Sequence, residues 1–253
     1  MRKYICGLIF ALSVFCGGCG SENGSETIRF GTCADYPPFE YYKNGVLVGF
    51  EVDLVKIIAE RLGKKAVFED MAFSTLLTSL NNGFIDAVIS GYGSSQEKRE
   101  KYGITFVYYP EKLVFVYKEP NSITSKDQLA RKKVAYQLGI PGMKKWLREN
   151  IPDAEPVLMD RMELAVESLK AGHVDCIIID EFVANVFCEK NPGLKCFVPD
   201  CLKISDGLAI VTRKNASLKE EINKILKTLE TTGELQKLKE KWGLKEKWKL
   251  LEK

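Results

Sequence analysis

The chain has 253 residues, 37 Lys and Arg against 34 Asp and Glu, and a formal net charge of +3. Arg2 and Lys3 supply two of those charges, leaving about +1 over the rest, a balance that argues against a nucleic-acid partner. The length suits one large or two small domains with a proper core.

From the amino end, Arg2 and Lys3 precede an apolar run from Tyr4 to Phe15, then small residues and Cys19. A basic head, a short apolar middle and small residues before a cut make residues 1–18 a secretory signal. Gly17 and Gly18 ahead of Cys19 resemble a lipoprotein box, from which Cys16 departs. Lipid on Cys19 would hold the protein at a membrane surface through a tether over residues 19–26. The alternative is plain secretion with Cys19 free. No later segment approaches ~20 consecutive apolar residues, so the remainder is expected to be soluble, in the periplasm or at the cell surface.

Of the eight cysteines, Cys6 and Cys16 lie in the leader. Beyond Cys19 remain Cys33, Cys176, Cys188, Cys196 and Cys201, some of which should pair outside the cytoplasm. Cys196 and Cys201 flank a short loop and form the expected disulfide. Cys176 lies inside an apolar strand and is expected as a buried thiol. No Cys/His spacing points to a metal, no cofactor is expected, and the single histidine, His173, reads as a solvated loop residue.

Thr27 to Thr32 alternates as a strand. Asp35 to Phe39 is a rigid turn around two prolines, and Asn44-Gly45 predicts a hairpin between Phe39 to Tyr42 and Val46 to Val48. Gly49 to Gly63 is a helix: Leu54, Ile57, Ile58 and Leu62 form one stripe, Glu51 and Asp53 sit at its positive end, and Gly63 stops it. A strand at 66–69, a helix at 73–80 and a strand at 85–90 complete a βα series, which implies a sheet flanked by helices. Ser94 to Glu97 forms a capping-box pattern. Residues 107–118 hold two strand-like pieces suited to crossing between lobes. A second βα set restarts at 134–139, with a helix at 143–150, a strand at 157–159, a helix capped by Asp160 and a buried strand at 174–179. Leu208 to Thr212 returns to the first lobe, and helices follow over 217–231 and 234–242. Leu244 to Lys253 is an extra tail.

GFEVDL and the apolar-periodic helix after it, together with the opening GTCADYPPFEYYKNGVLVGFEVDL, resemble the family 3 extracellular solute-binding proteins, the polar amino-acid receptors of ATP-driven importers. The resemblance covers roughly residues 27 to 243. It implies a two-lobe α/β periplasmic-binding-protein fold of type II, its ligand cleft between lobes joined by two crossover strands. Lobe 1 would comprise 27–112 plus 206–253, and lobe 2 residues 113–205.

By the same resemblance Tyr36 contacts the ligand, Phe73 stacks on its side chain, and Ser90, Gly91 and Tyr92 surround its head group. Each aromatic also suits a packing role. Relatives place a hydroxyl and then an arginine after this glycine turn, the arginine gripping the ligand carboxylate as a fork. Without gaps those positions become Gly93 and Lys98, and an ammonium lacks the planar fork; a one-residue insertion would make them Ser94 and Arg99. Gln137, Ile140, Pro141 and Gly142 fall in the second carboxylate segment, where relatives carry two hydroxyls. VDCIIIDE resembles the segment whose aspartate binds the ligand ammonium, making Asp180 the cation site or, on local chemistry alone, a helix cap. Cys33 stands where relatives often carry a polar or acidic group, so cationic side chains are expected to be disfavoured.

The expected function is capture of an amino acid or small amine-bearing solute, without covalent chemistry, by a monomer that delivers it to a membrane permease. The alternatives are a cyclohexadienyl-dehydratase-like enzyme on the same fold and a receptor for other ligands such as small peptides.

Overall fold

The computed structural model describes residues 26–199 and 202–244. The leader, Cys19, the tether, Cys201 and the tail beyond Leu244 lie outside the described residues, and with them the expected Cys196–Cys201 pairing.

The chain opens with β1 (Thr27–Thr32), the small antiparallel sheet of β2 (Asp35–Tyr36), β3 (Glu40–Lys43) and β4 (Val46–Val48), and α1 (Phe50–Arg61). Asn44 and Gly45, both at positive φ, make the expected hairpin turn between β3 and β4. Gly49 admits no side chain, because a Cβ there would stand 1.9 Å from the Phe39 carbonyl oxygen. That close approach seats the start of α1 on the turn, with the Phe50 N–H donating to Pro38 and the Glu51 N–H to Phe39. The stripe is partly as expected: Leu54 and Ile58 are buried, Ile57 and Leu62 pack at the core's margin, and Val52 and Val55 join it.

β5 (Lys65–Asp70), α2 (Leu76–Asn81), β6 (Ala87–Val88), α3 (Gln96–Lys101) and β7 (Tyr102–Ile104) complete the first run. The second comprises β8 (Leu113–Lys118), β9 (Lys133–Gln137), α4 (Pro141–Asn150), β10 (Glu155–Met159), α5 (Met162–Lys170), β11 (Cys176–Asp180), α6 (Glu181–Lys190) and β12 (Leu194–Phe197). The chain then returns through β13 (Val211–Arg213) to α7 (Ser217–Thr231) and α8 (Glu234–Lys241).

Two five-stranded sheets result, ordered β5-β1-β6-β13-β7 and β10-β9-β11-β8-β12. In the first, β1 runs parallel to β5 and β6 while β13 enters antiparallel. In the second, β9 lies parallel to β10 and β11, and β8 is antiparallel to β11 and β12. Two extended segments join the lobes. Their backbones are laced together: the Tyr108 N–H donates to Leu208, the Leu208 N–H to Tyr109, and the Ser94 N–H to Gly207.

Three elements differ from expectation. The strand predicted over 85–90 is regular only at Ala87–Val88, because the chain bends away as Ser90 and Gly91 enter a buried polar cluster. The helix after the glycine turn is capped by Ser95, whose Oγ accepts the Lys98 N–H, and not one residue earlier by Ser94. Asp160 does not cap α5. Its carboxylate accepts from Ser74 Oγ, and the Met162 N–H at the start of α5 donates instead to Asp35 of the other lobe.

Candidate ligand-binding site

A cavity of about 420 Å³ lies between the lobes. Its first-lobe floor is built on α1. Glu51, fully buried, accepts the Gly91 N–H with both oxygens at 3.0 Å and the Tyr108 hydroxyl at 2.5 Å. Glu40 Oε1 accepts from Ser90 Oγ, which in turn accepts the Cys33 N–H at 2.9 Å. The Glu40 Oε2 atom is buried with no donor against it. Burial and the neighbouring Glu51 charge push the Glu40 carboxyl well above the usual carboxylate range. Thus the acid of GFEVDL, read above as a helix-dipole partner, instead clamps the glycine turn from beneath. Asp53 accepts from the Trp242 indole at 2.9 Å and ties α8 to the same helix.

Above this floor, Tyr92 and Phe73 stack with centroids 5.5 Å apart and planes 16° apart, forming an aromatic wall. Lys98 Nζ lies 4.2 Å from the Tyr92 centroid and donates to the Gly93 carbonyl. Lys98 lines the cavity; Arg99 does not, its guanidinium bonding Ser94 Oγ at 3.3 Å and facing Asp206 at 3.9 Å. Of the two cations that the alternative alignments offer, Lys98 is the one in the lining, which also includes Lys101. Burial lowers the Lys98 ammonium to about 8, an effect the nearby Glu111 charge opposes.

The missing hydroxyl at Gly93 has a spatial explanation. A Cβ there would come within 2.9 Å of the Ser205 Cβ and 3.2 Å of Glu111 Oε1. Ser205 Oγ donates to Glu111 Oε2 at 2.5 Å and accepts the Gly207 N–H. A hydroxyl from the returning crossover thus fills the place of a residue-93 side chain, together with a carboxylate that burial raises above its ordinary range. Neither Ser205 nor Glu111 was singled out from the sequence, because only the pairing of the two crossovers brings them beside Gly93.

The second lobe contributes Gln137, Ile140, Pro141 and Gly142 to the lining. Ile140 caps α4 without a side-chain bond and Pro141 occupies its first turn, so the helix start offers its backbone dipole rather than a hydroxyl. Gln137 Nε2 donates to the Asp160 carbonyl at 2.7 Å. Cys33, Tyr36, Phe73, Ser90, Gly91 and Tyr92 all line the cavity, as does Asp35, which sequence reasoning passed over. The buried Cys33 thiol donates to Asp35 Oδ1 at 3.4 Å, and burial raises the Asp35 carboxyl to about 6.

Asp180 is not itself in the lining, although its neighbour Ile179 is. Its carboxylate caps α6 through the Phe182 N–H at 2.9 Å and accepts the Lys112 N–H at 3.3 Å. Its backbone N–H lies 3.4 Å from the Tyr36 hydroxyl. Burial, with the Glu111 charge added, raises this carboxyl to about 7. Asp180, Glu111 and Tyr36 therefore form one acidic corner. Among the described residues, no cluster of His, Cys, Asp and Glu could hold a metal ion.

The profile of the bacterial extracellular solute-binding proteins, family 3, matches residues 28–245. The chain is similar to the arginine-binding extracellular protein ArtP of Bacillus subtilis (strain 168), at 36% identity over 251 residues, covering 96% of this chain and 98% of that one. It is also similar to the L-cystine-binding protein TcyJ of Escherichia coli (strain K12), at 28% identity over 85% of this chain and 82% of the other. Among solved structures, an ancestral arginine-binding protein bound to arginine aligns with a TM-score of 0.79 and 34% identity, covering 86% of this chain and 98% of that one.

Proposed function

Because the chain belongs to the bacterial extracellular solute-binding proteins, family 3, we propose that its cavity captures one amino acid or related amine-bearing solute and hands it to the permease of an ABC importer. The observation that carries this reading is the cavity itself: two lobes on a laced hinge enclose an aromatic wall, the Lys98 ammonium and an acidic corner. In this reading lobe 1 is residues 27–112 plus 206–253 and lobe 2 is residues 113–205. The ligand carboxylate pairs with Lys98, aided by the amino end of α4. The ligand ammonium enters the corner of Asp180 and Glu111, where a cation would offset the burial and the Glu111 charge that raise the Asp180 carboxyl.

The expectation that cationic side chains are disfavoured rested on Cys33 lacking charge. Asp35 supplies a carboxylate beside that thiol, within the same cavity. A basic side chain is therefore admitted in our reading, in keeping with relatives named for arginine. Binding draws the lobes together by hinge bending, with no covalent step. We further propose a lipid on Cys19, a monomeric receptor, and no enzymatic turnover.

Thermal-shift and calorimetric titration across the twenty amino acids, cystine and dipeptides tests the proposal. An amino acid binding at micromolar concentration or tighter is the expected result. No shift with any of these ligands, or turnover of a prephenate-like substrate, would overturn it.

A further inference from the structure

Cys188, on α6, and Cys196, on the edge strand β12, bring their sulfurs to 3.2 Å. The connection between them is tight. Asn191 bonds back to Phe187 through both its backbone and its side chain, the Leu194 N–H donates to Asn191, and Gly193 turns the chain at φ 96°. Antiparallel pairing of β12 with β8 sets Cys196 opposite Val116. Both cysteines are half-buried, while Cys33 and Cys176 are buried and bond elsewhere, Cys33 toward Asp35 and Cys176 toward the Ile177 carbonyl.

We propose that Cys188 and Cys196 form a disulfide that staples α6 to the edge of the second sheet. The family is extracellular, where such pairs persist. Only a small approach separates the present geometry from a bond of about 2 Å. The contact with Cys196, aided by the Lys195 charge, lowers the Cys188 thiol below its ordinary range, which favours it as the attacking group. Formation requires an oxidant, here a disulfide such as glutathione disulfide or a protein thiol oxidase. The Cys188 thiolate attacks one sulfur of the oxidant and expels its partner as a thiol. The Cys196 thiolate then attacks the Cys188 sulfur of the resulting mixed disulfide and expels the oxidant's remaining sulfur as a second thiol, so two electrons and two protons pass to the oxidant. The staple lies beyond the ligand contacts, but the chain leaving β12 leads to Ile204 and Ser205 of the cavity.

The test is peptide mapping of the purified full-length Cys201→Ser protein, equilibrated with glutathione disulfide and alkylated without reductant. Trypsin cleavage after Lys190 and Lys195 separates the two cysteines, so only a disulfide keeps their peptides together. The expected result is a linked pair containing Cys188 and Cys196. In wild type the same link should form with Cys201 recovered alkylated. Reduction should lower the melting temperature by about 5 °C or more, and the Cys188→Ser/Cys196→Ser protein should melt with reduced wild type and ignore reductant. Recovery of Cys188 and Cys196 as alkylated thiols, or a wild-type link between Cys196 and Cys201, would overturn the proposal.

Discussion

The two walls of the cavity are built by opposite means. On the first lobe, Glu51, Glu40, Ser90 and Tyr108 form a buried polar cluster that fixes the Gly91 backbone from below. On the second, Ile140, Pro141 and Gly142 present an apolar helix start whose cap residue makes no side-chain bond. A low-dielectric interior strengthens a satisfied network and makes any broken member costly. The first wall is therefore held by its own bonds, whereas the helix start on the second wall has no side-chain bond to hold it. This asymmetry suits a hinge whose open form already carries the ligand's main contacts.

Removing Glu51 should break the comparison most severely. Glu51→Ala leaves the Gly91 N–H and the Tyr108 hydroxyl without their acceptor inside the core. Two buried donors left without an acceptor at about 1–3 kcal/mol each put the loss at about 2–5 kcal/mol of folding stability. Denaturant titration should show it, whereas Ile140→Ala on the facing wall should change stability by less than about 1 kcal/mol. Equal losses at both positions would erase the asymmetry.

Lys98→Met comes next and acts on binding alone. A hydrogen bond to a charged group is worth ~1.5–3 kcal/mol, so calorimetry should record affinity falling about 10- to 100-fold. Arg99→Met should fall by less than threefold, because that guanidinium faces Asp206 outside the cavity lining. A larger loss at Arg99 would shift the anion contact to it.

The pH dependence sharpens the roles of the two ends. An ammonium pairs with ionised Asp180, whose carboxyl titrates at about 7, and a carboxylate pairs with protonated Lys98, whose ammonium titrates at about 8. Affinity should therefore peak between these values, falling by up to about tenfold per pH unit on either side. Asp180→Asn should remove the acid limb and Lys98→Met the alkaline one. Folding stability without ligand should move differently. Asp180, raised above its unfolded value, binds a proton in the native state that the unfolded chain releases. Its contribution thus declines as pH rises from about 4 to about 7. Calorimetric titration and melting curves over pH 4–9 report the two trends separately.

The βα order, the hairpin at Asn44-Gly45 and the helix after Gly49 were legible because each depends on local chemistry that period and turn residues encode. Of the lining aromatics, Tyr36, Phe73 and Tyr92 were legible through family resemblance, while Tyr102 and Tyr136 were not. Glu111, Ser205 and Asp35 were not, since each is held in place by a partner more than 90 positions away: Ser205 for Glu111, and Met162 for Asp35. The Cys188–Cys196 approach was missed for a subtler reason. Cys201 is nearer to Cys196 in sequence, but the turn at Asn191 to Gly193 folds β12 back along α6 and brings Cys188 against it. The capping of α5 shows the same limit: Asp160 stands at the right spacing, yet the acceptor comes from the other lobe.

That capping across the cleft gives the smallest and most discriminating prediction. Asp35 belongs to the first lobe and Met162 opens a helix of the second, so their hydrogen bond exists only while the lobes touch. The Arg161–Asp70 ion pair at 3.1 Å and the Ser74–Asp160 bond at 2.8 Å span the same gap. A lost helix cap costs about 1 kcal/mol, or roughly fivefold in an equilibrium constant. With the lobes apart in the ligand-free protein, Asp35→Ala should leave folding stability nearly unchanged and reduce affinity about fivefold. Exposed Arg161→Ala should cost less, as surface ion pairs usually do. The size and pattern of the loss separate two roles for Asp35. If it acts only as a latch between lobes, neutral and basic amino acids lose affinity equally. If its carboxylate also pairs with a cationic side chain, the loss concentrates on arginine and lysine and grows to about 2–5 kcal/mol. Competition binding of arginine against glutamine on Asp35→Ala decides between them, and an unchanged affinity for both would remove Asp35 from the closing surface altogether.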